Sequence, residues 1–249
     1  QKAIAEKAGI RCVETLTGFK YIGEKLGKYE EQIPAELRKN YSDLSEDVTR
    51  KLRLEHSSLY VFGGEESYGY SGSDFVRDKD GNSAAVMLAE VAAYAKAEGI
   101  TLIGLLDRIF SEFGFYLERG ESLTMEGAEG AAQIKKLVDS YASKPPAKID
   151  GAAVSSTTSF ATEIIKDVEG DRIPAEAMLM ITLADNRRIA VRPSGTEPKI
   201  KYYMFAAEPL NAGETISATE LEATKTRVAA SLDRLWQEVK NDANARASS

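Results

Sequence analysis

The apolar positions of this chain change period about halfway along. In the first half, helical spacing dominates and is interrupted by short apolar runs of strand length. Ala3 to Lys7 reads as the end of a helix closed by Gly9, and Ile10 to Glu14 as a buried strand. The turn Thr15 to Lys20 then opens a helix running to about Leu26, and Leu59 to Phe62 forms the next strand. Ala84 to Glu98 is a helix ended by Gly99. Thr101 caps a second, with Leu102, Leu105, Leu106, Ile109 and Phe113 on one face and Gly114 at its end. Both apolar stripes are expected in the core. Strands alternating with helices predict an α/β domain, doubly wound and partial, over residues 1–120.

A boundary is expected over Glu118 to Glu126, with a second domain over 121–249. That domain opens with a helix over Thr124 to Ser143, carrying Ile134, Leu137, Val138 and Tyr141 on one side and stopped before Pro145-Pro146. Alternation then predicts strands at Ala152 to Ser155, Met178 to Ala184, Arg188 to Val191 and Ile200 to Phe205, with Asp185-Asn186 as a hairpin turn. Ser217 and Glu220 form a capping box. It opens a long helix with Leu221, Val228, Leu232, Leu235, Trp236 and Val239 on one face, fraying from Asn244. An antiparallel sheet with flanking helices makes this an α+β domain. Lys28 to Ser57 is highly charged. It reads as two short helices in a surface insertion whose charges form a solvated face.

Composition narrows the function. The formal net charge is −7, which argues against a general nucleic-acid surface and leaves local cations to draw any anionic ligand. The single cysteine, Cys12, reads as a buried thiol and His56 is the only histidine, so disulfides, zinc and Cys–His chemistry have little support. A cytoplasmic location fits. No apolar run suits a membrane span and no signal peptide opens the chain. Gln1 falls inside a running helical pattern, so the chain is expected to be part of something longer.

Three stretches carry chemistry. In Val191-Arg192-Pro193-Ser194-Gly195-Thr196-Glu197-Pro198-Lys199-Ile200-Lys201, strands flank a turn that prolines exclude from a ladder. A guanidinium fork, two hydroxyls, a flexible glycine backbone and Lys201 on the outgoing strand suit a phosphate dianion. The plain alternative is a polar hairpin tip. Gly63-Gly64-Glu65-Glu66-Ser67-Tyr68-Gly69-Tyr70 offers carboxylates and a hydroxyl to vicinal sugar hydroxyls. A glycosidase-like glutamate pair is disfavoured, because adjacent extended residues point apart. Asp78, Asp80 and Gly81 begin like a calcium loop, but its twelfth position is Ala89, which excludes calcium. Asn82 or Ser83 caps the helix that follows.

These stretches, with Thr15-Leu16-Thr17-Gly18-Phe19-Lys20, resemble the α-D-phosphohexomutases, the phosphoglucomutases and phosphomannomutases. The resemblance implies most of the family's third domain followed by its fourth. It implies that Arg192, Ser194, Gly195, Thr196 and Lys201 grip the phosphate that is not reacting, and that Glu65 and Ser67 hold sugar hydroxyls. Thr17, Gly18, Lys20 and Lys79 would line the cleft. Where many members have a histidine after the serine, this chain has Tyr68-Gly69-Tyr70, which leaves gluco against manno preference open. The family's phosphorylated serine, in a Ser-His-Asn-Pro-type motif, and its acidic magnesium loop have no counterpart here. Mg2+ is therefore expected on missing N-terminal domains 1 and 2, with glucose 1,6-bisphosphate as intermediate, a small-molecule phosphosugar as ligand, and no mutase activity from this chain alone. A phosphopentomutase of the same branch and a non-catalytic phosphosugar-binding module are the alternatives.

Overall fold

The structure, a computed structural model, describes residues 1–65, 69–125, 130–195, 197–211 and 213–247. It divides into two units: Glu14–Leu102, and Gln1–Val13 together with Ile103–Ser249.

In the first unit, α2 (Phe19–Glu31) follows α1 (Lys2–Lys7), which belongs to the other unit. α2 runs a full turn past Leu26 because Tyr29 and then Ile33 continue the same buried stripe from Phe19 and Leu26. A 3-10 turn (Tyr41–Asp43) and α3 (Glu46–His56) come next. This segment is not merely a solvated face. Arg53 is 1% exposed and joins three neighbours: its Nε donates to Asp74 Oδ2 and Tyr41 Oη, both at 2.9 Å, and its Nη1 to the Leu26 carbonyl at 3.3 Å. A charge that helical spacing placed among solvated neighbours is thus the anchor of its unit.

The expected strands at 10–14 and 59–62 form no ladder among the described residues. Ile10, Val61 and Phe62 are exposed, and Cys12 is only half-buried. An apolar run becomes a strand only where a neighbour accepts its hydrogen bonds. What forms instead is a two-stranded antiparallel hairpin, β1 (Gly63–Gly64) with β2 (Tyr70–Ser71). α4 (Gly81–Ala97) is capped by Asp80, two or three residues before the expected caps; its carboxylate accepts from the amides of Asn82 and Ser83. The expectation that α4 is core does not hold here. Only Ala95 is buried, while Val86, Leu88, Val91 and Tyr94 are exposed. Apolar residues run round most of the helix, and the described residues bury only Ala95 of it.

In the second unit, α5 (Leu102–Phe113) also departs from its expected stripe: Leu102, Ile103 and Leu106 are exposed, and Phe110 packs on the core. The segment expected to be a boundary is β3 (Gly114–Thr124), so position 120 lies inside a strand. Its polar residues disguise it. β3 is an edge strand, and charged side chains at an edge guard it against pairing with another chain. After α6 (Gly130–Ser143) come β4 (Lys148–Ile149), β5 (Ala152–Ser159), β6 (Leu179–Leu183), β7 (Arg188–Pro193) and β8 (Lys199–Pro209), then α7 (Ala218–Ala247). The sheet is antiparallel in the order β3-β8-β7-β6-β5-β4.

Alternation decides its two faces. Ile200, Tyr202 and Met204 of β8 and Ile189 and Val191 of β7 point into a core shared with Leu137 of α6 and Leu232 and Leu235 of α7. Each such burial contributes about 1.5–3 kcal/mol. The opposite face carries Arg192, Lys201, Tyr203 and Phe205, half-buried, and Arg188, exposed. Trp236 packs against the core with its ring 5.6 Å from that of Tyr202. Asp185-Asn186 makes the β6–β7 turn, with Asn186 at φ 67°. Only half of the capping box forms: Ser217 Oγ accepts from the Glu220 amide, and the Glu220 carboxylate pairs with Arg227. Among the described residues no helix is long and apolar enough to cross a membrane.

Candidate phosphate-binding site

Strand register builds this site. Arg192 and Lys201 are direct cross-strand partners on β7 and β8, and Pro193 faces Ile200 in the last pair. The Ser194 amide then donates to the Lys199 carbonyl at 2.9 Å and closes the turn. Like charges directly opposite one another destabilise an antiparallel pair, so this register needs compensating anions. On the far side of Lys201 lies Ser122 of β3. Gly195 is exposed, its φ is not positive, and a Cβ built there would touch nothing within 4 Å. The turn therefore has room around its backbone. Thr196 lies outside the described residues.

Two carboxylates supply part of the compensation, and sequence reasoning missed the first. Glu176 Oε1 accepts from Arg192 Nε at 2.5 Å. Glu176 lies in an unpatterned stretch with no motif to mark it. Glu197 pairs with Lys199 at 2.6 Å. The hydrogen bond and charge of Lys199, with the charge of Lys201 behind them, hold the Glu197 carboxyl below its ordinary value. Among the described residues Lys201 makes no ion pair, and its charge reaches the Glu197 carboxylate.

The other predicted residues lie in the first unit, where several come together. Gly18 caps α2 at φ 126°, a conformation that L side chains rarely adopt, and its amide donates to Glu65 Oε1 at 2.7 Å. The Glu65 carboxylate sits at a helix N-terminus, where the exposed amides and the helix dipole favour an anion. Its other oxygen lies against Gly69, where a Cβ would come within 2.8 Å of Oε2. One oxygen of Glu65 thus has an internal role. Lys79 pairs with Asp78 at 3.0 Å and lies 5.8 Å above the Phe19 ring; the hydrogen bonds and charge of Lys79 hold the Asp78 carboxyl down. Thr17 and Lys20 are exposed, the lysine over the Tyr21 ring. Ser67 lies outside the described residues.

Among the described residues one trio of carboxylates, Asp167, Glu169 and Asp171, is close enough to share a cation. It does not fit a catalytic magnesium loop. Asp167 Oδ1 accepts from the amides of Glu169 and Asp171, and Glu169 pairs with Arg11. These groups brace a turn.

One unit carries an antiparallel sheet with helices on one face and a cationic turn at its strand ends; the other carries a glycine-rich acidic hairpin. The chain is similar to known proteins. Residues 45–113 match the family model for phosphoglucomutase/phosphomannomutase, alpha/beta/alpha domain III. The match starts at Ser45, the residue that precedes α3, so it takes in that whole helix, which was expected to be part of an insertion. The phosphoglucomutase of Staphylococcus aureus strain N315 is 30% identical over 207 residues, which is 82% of this chain and 33% of the relative. That of Staphylococcus epidermidis strain ATCC 35984 is 31% identical over the same span. The crystal structure of Paramecium pp63/parafusin, a phosphoglucomutase in its open form, matches 99% of this chain and 36% of its own with a TM-score of 0.54 at 17% identity. The family's domain III is thus matched over residues 45–113, and most of the chain is similar in sequence to a part of the phosphoglucomutases. It spans about a third of the length of the curated relatives it matches.

Proposed function

We propose that this chain is the substrate-gripping part of a hexose-phosphate mutase, an isomerase that interconverts hexose 1-phosphate and hexose 6-phosphate. The observation that carries the reading is the cross-strand pair Arg192–Lys201 beside an open turn. In this reading Arg192, Ser194, Gly195, Thr196 and Lys201 hold the phosphate that is not reacting. The arginine fork supplies two parallel donors, Gly195 leaves the backbone free to approach the anion, and Lys201 adds charge. Glu65 and Ser67 hold sugar hydroxyls, and Lys20 and Lys79 provide further cations. The reaction needs a constant phosphate grip and a hydroxyl grip that tolerates both orientations of a sugar 1,6-bisphosphate. Positioning and charge stabilisation carry most of the catalysis in phosphoryl transfer.

The reacting serine and the magnesium ligands would lie on residues outside this chain, and magnesium there would offset charge on the moving phosphoryl group. Alone, the chain should not turn over glucose 1-phosphate with magnesium and glucose 1,6-bisphosphate. Activity that survives repurification would refute this division of labour. The test of the phosphate grip is an amide NMR titration with inorganic phosphate or glucose 1-phosphate. Shifts at Ser194 and Gly195 that vanish in Arg192→Ala are expected; shifts that persist in that variant, or never appear, refute the assignment.

A further inference from the structure

We infer that Glu176 is a positioning residue for the phosphate grip, holding the Arg192 fork in the orientation a phosphate dianion needs. This rests on reading the Arg192 turn as a phosphate site. Glu176 Oε1 takes only Nε of the guanidinium, at 2.5 Å. That leaves the terminal edge, with the N–H groups of Nη1 and Nη2, for a ligand with two coplanar acceptor oxygens. The carboxylate is itself held. Its side chain is 17% exposed, the Glu176 amide donates to the Phe160 carbonyl at 3.1 Å, and the Glu176 carbonyl accepts from the Met178 amide at 2.7 Å. The bond to Phe160, with the Phe160 amide donating to the Met178 carbonyl at 2.9 Å, extends the β5–β6 pairing beyond its last pair, Ser159 with Leu179, and the Met178–Glu176 bond is a local turn within the segment. β6 pairs with β7, and Leu179 faces Val191; that register continued puts Met178 opposite Arg192, and Glu176, two residues before Met178, reaches the Arg192 Nε on the diagonal. The sheet thus fixes a carboxylate and the carboxylate fixes one edge of a guanidinium, which leaves the terminal edge to take an anion.

A competing account makes Glu176 a counter-ion that only neutralises Arg192. The two accounts predict opposite signs. Coulomb attraction alone says that removing a negative charge beside the site tightens phosphate. Positioning says that freeing a long, rotamer-rich side chain weakens it, because binding must then order the arginine. The probe is inorganic phosphate, titrated at low ionic strength against the whole chain and read at the Ser194 and Gly195 amides. Glu176→Ala should bind roughly three- to tenfold more weakly than the parent, the scale of ordering one side chain. Glu176→Gln keeps an acceptor oxygen and should bind at least as tightly as the parent. Binding by Glu176→Ala that equals or exceeds the parent overturns the inference.

A second measurement does not depend on folding of the alanine variant or on phosphate. The Arg192 Nε–H resonance of the parent should be distinct and protected from solvent exchange at neutral pH, and should stay so in Glu176→Gln. An Nε–H that exchanges like those of solvated arginines overturns the inference with the phosphate site intact. A parent that shows the protected Nε–H but no phosphate shifts overturns the phosphate reading, and the positioning role falls with it.

Discussion

Replacing Arg53 with alanine separates a structural charge from a solvated one. In the structure its guanidinium ties α2, the 3-10 turn, α3 and the segment that leads to Lys79, through the Leu26 carbonyl, the Tyr41 hydroxyl and Asp74. Nη2 also lies 2.8 Å from Asp74 Oδ2. The alanine variant leaves a carboxylate that is 20% exposed without its counter-charge, in a space the arginine stem had filled. Breaking a buried ion pair costs about 3–5 kcal/mol. Partial access of water to Asp74 places the expected cost at the lower end, about 3 kcal/mol. Lys51→Ala, on the same helix with its side chain 75% exposed, should change stability by no more than about 0.5 kcal/mol. Because the chain has two units, the assay must report on this one. Native-state hydrogen exchange of the α3 amides suits it, where about 3 kcal/mol corresponds to roughly a hundredfold loss of protection. Fluorescence of Trp236 does not, since that residue belongs to the other unit. Protection that falls less than about threefold in Arg53→Ala, as in Lys51→Ala, would refute the anchoring role and restore the solvated face.

Other perturbations test the sheet and the grip. Ile189→Ala, fully buried between the sheet and its helices, should cost about 2–5 kcal/mol by urea unfolding followed at Trp236; a cost under about 1 kcal/mol would mean the core is misplaced. Burial raises the Asp185 carboxyl pKa, but the hydrogen bonds and charge of Arg187 outweigh it and hold the folded value below normal. Its contribution is therefore present above the ordinary carboxylate range and lost as pH falls through the depressed folded value. The stability gap between the parent and Asp185→Asn should be constant from pH 7 to about pH 5 and close below about pH 4; a gap that persists at pH 2 contradicts it. Arg192→Lys keeps the charge without the fork and should weaken phosphate about tenfold or more, and unchanged affinity in the same NMR titration would show that charge alone suffices. In the complete protein, Glu65→Gln should lower kcat/KM roughly ten- to a hundredfold while inorganic phosphate inhibits as before; equal weakening of both would make the loop structural.

The sequence alone determined what depends on near neighbours. Alternation along β6, β7 and β8 separated the core face from the cationic face, because a strand's side-chain period is 2 whatever lies beside it. The stripes of α6 and α7, the Asp185-Asn186 turn and the Arg-Pro-Ser-Gly-Thr-Glu-Pro turn were legible for the same reason, and that wording carried the family resemblance. The tertiary structure decided what depends on distant partners. β3 was taken for a boundary because edge strands are written in polar residues, and its ladder with β8 is made across some eighty positions of chain. Leu59 to Phe62 was read as a strand and the α4 stripe as core because apolar residues demand cover, yet sequence does not say which residues provide it. Arg53 and Glu176 were invisible for a like reason. A charge looks the same in sequence whether it meets water or a carboxylate, and Asp74 and Arg192 reach them only when the chain folds back.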